Sequence, residues 1–353
     1  MKTYEAAGYI TTFSFFSTLL VNSILIYLTI FHIKHICGTY KWMIITFASI
    51  GILFSFVETT VRPNIHNFNG AFMYFSPSVY LPKWLQYIGT ASISGFFCFL
   101  LSFITMQFIY RLWTLTKSEY LAWFHGIRVS IWFFFVMTPC MLYISSLIIF
   151  ISPDDISDAY MEEEIMEIYD LNITEVTRFI LLAWKDDKLR FRNVSFVLSS
   201  STVMTMSLII IVYCAFRMRR EMQKCLERMS DRNRKLENQF FAALVAQSAF
   251  PFALLVIPAS PVLFLPLLDL KVSSQSGVMF SIFSSYPPLD SIAMMFIIKE
   301  YKYCMRRVLA RLRCCGGVKI GDSALSTQYA SSVVENSIQM AVIADNVSIN
   351  PMN

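Results

Sequence analysis

Apolar residues in this chain of 353 amino acids fall into seven long runs, each bounded by charged or turn-forming residues. The runs cover 8 to 31, 42 to 61, 84 to 110, 127 to 151, 193 to 216, 239 to 267 and 275 to 298. Crossing the hydrocarbon core of a bilayer takes about 20 mostly apolar residues in a helix. Every run meets that length, so the pattern predicts seven membrane-spanning helices. The third and sixth exceed it, which permits tilt. The sixth also carries Pro251, Pro258 and Pro261 and is expected to hinge or break in its outer half. The first run is too long for a signal peptide and has Glu5 where a basic segment would stand, so it reads as an uncleaved helix.

Composition agrees with the pattern. The chain is 56% apolar and 15% charged, with 32 phenylalanines, and so little charge could not cover a soluble domain of this size. The expected fold class is therefore all-α, a seven-helix transmembrane bundle over residues 1–298. Orientation follows from lysine and arginine. With the amino terminus outside and the carboxyl terminus cytosolic, the inner segments hold 20 of the 29 basic residues. Five of the other nine lie in one long outer loop, 152 to 192, where basic residues count for little. That loop carries 11 acidic residues.

Two inner segments are candidates for contacts. Residues 217 to 238 read as helical extensions of spans five and six and present a basic surface that includes Arg217, Arg219 and Arg220. This is either a solvated face or a docking surface. After the last span, residues 299–315 place Met305, Val308, Leu309 and Leu312 between basic positions, the pattern of an amphipathic helix lying on an anionic leaflet. Cys314 and Cys315 close it as candidate acylation sites. The tail 316–353 is small and polar and is expected to be disordered.

Ionisable residues inside spans are costly and so draw attention. Glu58 near the outer end of span two could pair with Arg62 four residues on, or stand at the rim of a ligand cavity. Asp290 lies in YPPLDSI of span seven, where Pro287 and Pro288 permit a bend. A packing or hinge role and direct ligand contact are both open to it, and Asn22 and Gln247 are candidate hydrogen-bond partners. Arg111 at the end of span three reads, by itself, as a snorkelling anchor. Of three N-x-S/T sequons, only Asn172 is well placed for glycosylation, since Asn193 abuts the membrane and Asn346 falls on the cytosolic side. The long outer loop has no cysteine to tie it to span three.

Chemistry is otherwise sparse. The four histidines and eight cysteines form no metal-ligand spacing, so no metal or other cofactor is expected. Nucleotide-binding and serine-hydrolase motifs are missing too, which argues against an enzyme. Nucleic acid is not an expected partner.

Several segments nevertheless carry a resemblance. GTYKWMIITF followed by FSFVETTVRPNIH, FIYRLWTL closing span three, LERMSDRNRKLENQFFAALVAQSAFP entering span six and YPPLDSIAMMFIIKEYK ending span seven occur in an order and spacing that resembles the nematode seven-transmembrane chemoreceptors of the Str class (serpentine receptor class R), which include the diacetyl odorant receptor. The match runs from about Asn22 to Leu309.

The resemblance implies a chemosensory G-protein-coupled receptor in the plasma membrane, with the ciliary membrane of sensory neurons as the expected site. An odorant or pheromone would bind between the outer halves of the helices, and a heterotrimeric G protein would engage the inner loops. Tyr110 and Arg111 then look like the counterpart of the acidic-Arg-aromatic switch, without its acid. Pro287 and Asp290 in YPPLDSI take the place of the proline switch of span seven. The composition suits a small, largely neutral ligand. Competing readings are a ligand-gated channel, which would place the amino terminus inside, and a small-solute transporter coupled through Glu58 and Asp290. Homo- or hetero-oligomerisation is left open.

Overall fold

The computed structural model describes residues 3–33, 38–78, 81–225, 231–268, 273 and 277–314, with side chains except those of 3–6, 225, 231–237, 255, 278, 280–281 and 308–314. Long apolar stretches form helices because only a helix satisfies its own backbone in lipid. They are α1 (Thr3–Phe31), α2 (Thr39–Val61), α3 (Lys83–Leu115), α4 (Val129–Ile151), α6 (Phe191–Cys225) and α7 (Asp231–Pro251), with α5 (Asp155–Tyr169) a shorter, acidic helix between α4 and α6. The chain then continues through α8 (Ile257–Phe264), α9 (Gly277–Ser284), α10 (Tyr286–Ile297) and α11 (Lys299–Cys314). Among the described residues, six segments are long and apolar enough to cross a membrane, the sixth running from Asn238 through α7 and α8 to Leu268.

The remaining candidate span is divided. Helices α9 and α10 are only 8 and 12 residues long and meet at a turn at Ser285. Pro287 and Pro288 sit in the first turn of α10, where their missing N–H groups cost nothing, whereas a continuous helix would bring each ring against the carbonyl four residues back. The sixth segment is irregular for a similar reason. Pro251 ends α7, Phe252–Val256 wind as a π-helix, and Pro258 and Pro261 lie in α8. Proline removes ladder hydrogen bonds, and a π-turn is one way to absorb the mismatch.

Helix α3 is central, packing against α2, α4, α6 and α7, while α1 packs on α2, α9 and α10. Close approach of α3 and α4 depends on Gly95, where an added Cβ would lie 2.6 Å from the Ile144 side chain.

The all-α expectation is corrected at one end of the bundle, where the connecting segments are built rather than plain loops. Strands β1 (Asn64–Phe68), β2 (Ala71–Ser76) and β3 (Thr177–Leu182) form an antiparallel sheet in that order, and β4 (Trp184–Lys185) and β5 (Lys188–Leu189) a small hairpin. Between β1 and β2, Asn69 and Gly70 both have positive φ, 42° and 79°, as a two-residue hairpin turn of the mirror-image type requires. Period-2 alternation gives the sheet two apolar faces. Ala71, Met73, Phe75, Ile180 and Leu182 pack on Met161, Ile165 and Tyr169 of α5. On the opposite face, Tyr74 and Phe179 stack as cross-strand partners.

Helix α5 starts from a reciprocal cap, with Asp154 accepting from the Ser157 backbone and Ser157 Oγ accepting from the Asp154 backbone. It stops at Asp170, which takes a left-handed conformation. Arg178 clamps Asp158 through two charged hydrogen bonds of 2.7 and 2.5 Å, and Arg190 pairs with Asp154. These contacts and the sheet hold the assembly without a disulfide.

The chain divides into two units, residues 1–304 and 305–353. Helix α11 covers most of the predicted 299–315 segment, while the side chain of Cys314, all of Cys315 and the tail 316–353 lie outside the described residues.

Candidate functional site

At the end of the bundle opposite the sheet, Arg111 is only 8% exposed, which corrects its reading as a snorkelling anchor. Its guanidinium carbon lies 3.6 Å from the ring centre of Tyr40 on α2 and 4.1 Å from that of Phe240 on α7. The two rings stand edge-on to each other, centroids 5.6 Å apart, and the guanidinium in their corner is attracted by both quadrupoles. Tyr110 completes the cluster, its ring parallel to Tyr40 at 6.4 Å and edge-on to Phe124 at 4.9 Å. The arginine thus joins α2, α3 and α7. Arg219 and Arg220 are exposed near the end of α6, and Arg217 is partly exposed beside Glu221 at 3.8 Å.

Midway along the bundle, Asp290 is buried and accepts a 3.3 Å hydrogen bond from Gln247 Nε2 on α7. The other candidate, Asn22, instead donates to the Ala48 carbonyl at 2.9 Å. Asp290 shares a small void with Asn22, Gly51, Tyr286 and Pro287, so the first turn of α10 packs against α1 and α2.

Glu58 departs from both sequence readings. It forms no ion pair with Arg62 among the described residues: Glu58 is 1% exposed, Arg62 is exposed, and the polar neighbour of the carboxyl is Ser284. Helix α2 ends at Arg62 in a left-handed conformation (φ 54°), which takes that side chain off the helical register the pairing assumed. Nor does Glu58 line the cavity described next.

That cavity, about 120 Å³, lies under the sheet. Ile65, Phe72 and Tyr74 from β1 and β2 reach it, α3 supplies Ser94, Phe97 and Cys98, and α4 supplies Tyr143. Phe196 and Met204 of α6, Val262 and Leu263 of α8, and Met279 and Phe283 of α9 close it. Among the described residues, no carboxylate, ammonium or guanidinium lines it. Such walls suit a small apolar or weakly polar molecule and penalise a charge. Sequence reasoning named none of these residues, because they converge from separate elements. The one local signal was Asn69-Gly70, which marks the hairpin that brings Phe72 and Tyr74 over the bundle.

In the sheet, His66 is fully buried, with Nε2 3.2 Å from Glu164 and Nδ1 3.2 Å from the Tyr169 hydroxyl. Burial lowers the imidazole pKa, and the Glu164 contact only partly opposes that. Glu164 also accepts from Ser273, tying α5 to the segment before α9. Of the sequons, Asn172 is exposed, whereas Asn193 is buried and donates to the Phe150 and Ile180 carbonyls.

Residues 7–306 match the family described as serpentine type 7TM GPCR chemoreceptor Str. G-protein coupled receptor str-33 of Caenorhabditis elegans is 34% identical, over 84% of this chain and 88% of the relative. Serpentine receptor class r-10 from the same nematode is 24% identical over 83% and 87%, and G-protein coupled receptor str-217 is 22% identical over 90% and 94%. The chain is a multi-pass membrane protein that belongs to the Str family of serpentine seven-transmembrane chemoreceptors, and it is a receptor-type protein rather than an enzyme.

Proposed function

We propose that this protein is a chemosensory receptor that binds a small, largely neutral molecule in the cavity beneath the sheet and activates a heterotrimeric G protein at the Arg111 end. The observation that carries this reading is that two elements reach both places. Helix α3 contributes Ser94 and Cys98 to the cavity and Arg111 to the aromatic cage. The sixth segment contributes Val262 and Leu263 to the cavity and Phe240 to the cage, with the π-helix Phe252–Val256 between them.

A ligand can shift a conformational equilibrium only through unequal affinity for its states. In this proposal the ligand favours an arrangement in which α7 has turned at the proline-rich stretch and Phe240 has left Arg111. Arg111, released from Phe240, and Arg217, Arg219 and Arg220 at the end of α6 then face the G protein. Pro251, Pro258 and Pro261 are the hinge, and the Asp290–Gln247 bond restrains the sixth segment against the seventh. The sheet faces outward, the amino terminus is outside, and the lysine and arginine tally supports that assignment. Glycosylation at Asn172 and acylation at Cys314 and Cys315 belong to the same proposal, as does residence in a sensory ciliary membrane.

The test is calcium or cAMP signalling in cells expressing the chain, screened with volatile and water-soluble small molecules. Arg111→Ala and a background lacking coupled G proteins run in parallel. A response abolished by both controls supports the proposal. A ligand-evoked current that persists without G proteins would make the protein a channel instead.

A further inference from the structure

We propose that the Tyr143 hydroxyl is the group that selects the ligand, by donating a hydrogen bond to one acceptor atom of a flat, neutral, benzene-sized molecule. This inference rests on the cavity being the ligand site and adds to that reading the residue that orients the ligand and the class of molecule it takes.

Among the described residues, the polar side chains that line the cavity are Tyr74, Ser94, Cys98 and Tyr143. Two of these have hydrogen bonds elsewhere. Tyr74 donates to the Thr90 carbonyl at 2.9 Å, and Ser94 donates to the Ala91 carbonyl at 2.7 Å. Cys98 offers only a weak S–H donor. The Tyr143 hydroxyl makes no hydrogen bond to any described residue, so its O–H is available to a molecule in the cavity. Its ring is held edge-on against Phe196 of α6, centroids 5.7 Å apart, so the hydroxyl is presented from a fixed aromatic base. A phenol is a better donor than acceptor, because its oxygen lone pair is delocalised into the ring.

Size and shape set the rest of the ligand. An engineered cavity of roughly 150 Å³ lined by aliphatic and phenyl groups binds benzene, and the present 120 Å³ is of that order. Phe72, Tyr74, Phe97, Tyr143, Phe196 and Phe283 contribute aromatic rings to the walls, which favours a flat unsaturated body. Among the described residues, no charged side chain is there to compensate an ionic group.

Matched probes separate the hydrogen bond from apolar burial. The full chain, reconstituted in lipid nanodiscs, is titrated with anisole against ethylbenzene and with pyridine against benzene at neutral pH. The readout is the concentration dependence of the thermal midpoint. A neutral hydrogen bond in an apolar site is worth about three- to tenfold in affinity, so anisole and pyridine bind tighter than their hydrocarbon partners by that factor. In Tyr143→Phe, which removes one oxygen, the preference disappears and hydrocarbon affinity stays. That retained affinity also reports that the variant is folded. Should Tyr143→Phe not fold, the wild-type pairs still decide, because equal binding within each pair overturns the inference. A preference that survives in Tyr143→Phe overturns it as well, while leaving the cavity reading intact. If no member of either pair binds, the cavity reading itself fails and the inference with it.

Discussion

The guanidinium carbon of Arg111 lies 4.1 Å from the centre of the Phe240 ring, so a cation at the end of α3 is bonded to an aromatic face on the sixth segment. Tyr40 lies 3.6 Å from the same carbon, its ring edge-on to that of Phe240 with centroids 5.6 Å apart. The contact is worth about 1 kcal/mol at a partly wet site, or roughly fivefold in an equilibrium.

Phe240→Ala should therefore raise ligand-independent signalling by about fivefold, and lower the agonist concentration needed for half response. Arg111→Ala should abolish coupling while surface expression persists. Basal cAMP or calcium, normalised to surface protein, checks both. Lower basal signalling in Phe240→Ala would show that the cage supports the active arrangement.

Acidification should loosen the sheet end. His66 is held neutral by burial, so its pKa in the folded protein is below the ordinary value while the unfolded chain still takes up a proton. The unfolded state then binds more protons in that interval, and stability is full above about pH 6.5 and falls as pH drops below it. Glu164, Tyr169 and Ser273 surround the histidine through direct or shared contacts. Amide hydrogen exchange in β1 and α5 should accelerate between pH 7.5 and 5.5, and His66→Gln should flatten that dependence. An unchanged slope in the variant would assign the effect to another group.

Two sequons at this end should behave oppositely. Asn172 is exposed, with its Oδ1 accepting from the Thr174 hydroxyl at 2.8 Å, and Asn172→Gln should remove a glycosidase-sensitive mobility shift. Asn193 is a structural donor to two carbonyls, so Asn193→Ala should cost about 1–3 kcal/mol by leaving them unpaired, and lower surface expression without altering the glycan. A glycan that maps to Asn193 would contradict the packing of α6 against α4 and β3.

Gly95→Ala tests the closeness of α3 and α4. Its new methyl would stand 2.6 Å from Ile144 and 3.1 Å from Cys140 Sγ. Overpacking of this kind costs about 1–3 kcal/mol, which should lower the thermal midpoint in detergent. Pairing it with Ile144→Val should restore part of the loss, and failure of that rescue would place the strain elsewhere.

Much of the membrane architecture was legible because hydrocarbon imposes a length on every crossing, and that length is written in consecutive residues. Proline positions marked the irregular sixth and seventh segments for the same reason, since the missing N–H is a local property. Glu58 was misread because i,i+4 spacing predicts a pair only while the helix continues, and α2 ends at Arg62. Arg111 was misread because snorkelling is the outcome for an arginine with no aromatic partners, and its partners Tyr40 and Phe240 come from other helices.

The sequence by itself determined that the chain crosses a membrane more than once and which family it joins, because these depend on local hydropathy and on the order of motifs. Only the tertiary structure decided that Asp290 bonds Gln247 rather than Asn22, that Phe72 and Tyr74 cover a cavity, and that Tyr143 is its unengaged hydroxyl. Each of those facts is a contact between groups dozens of residues apart. Such contacts are set by how helices of similar apolar surface pack, through details such as Gly95 against Ile144, and apolar periodicity carries no record of which face meets which.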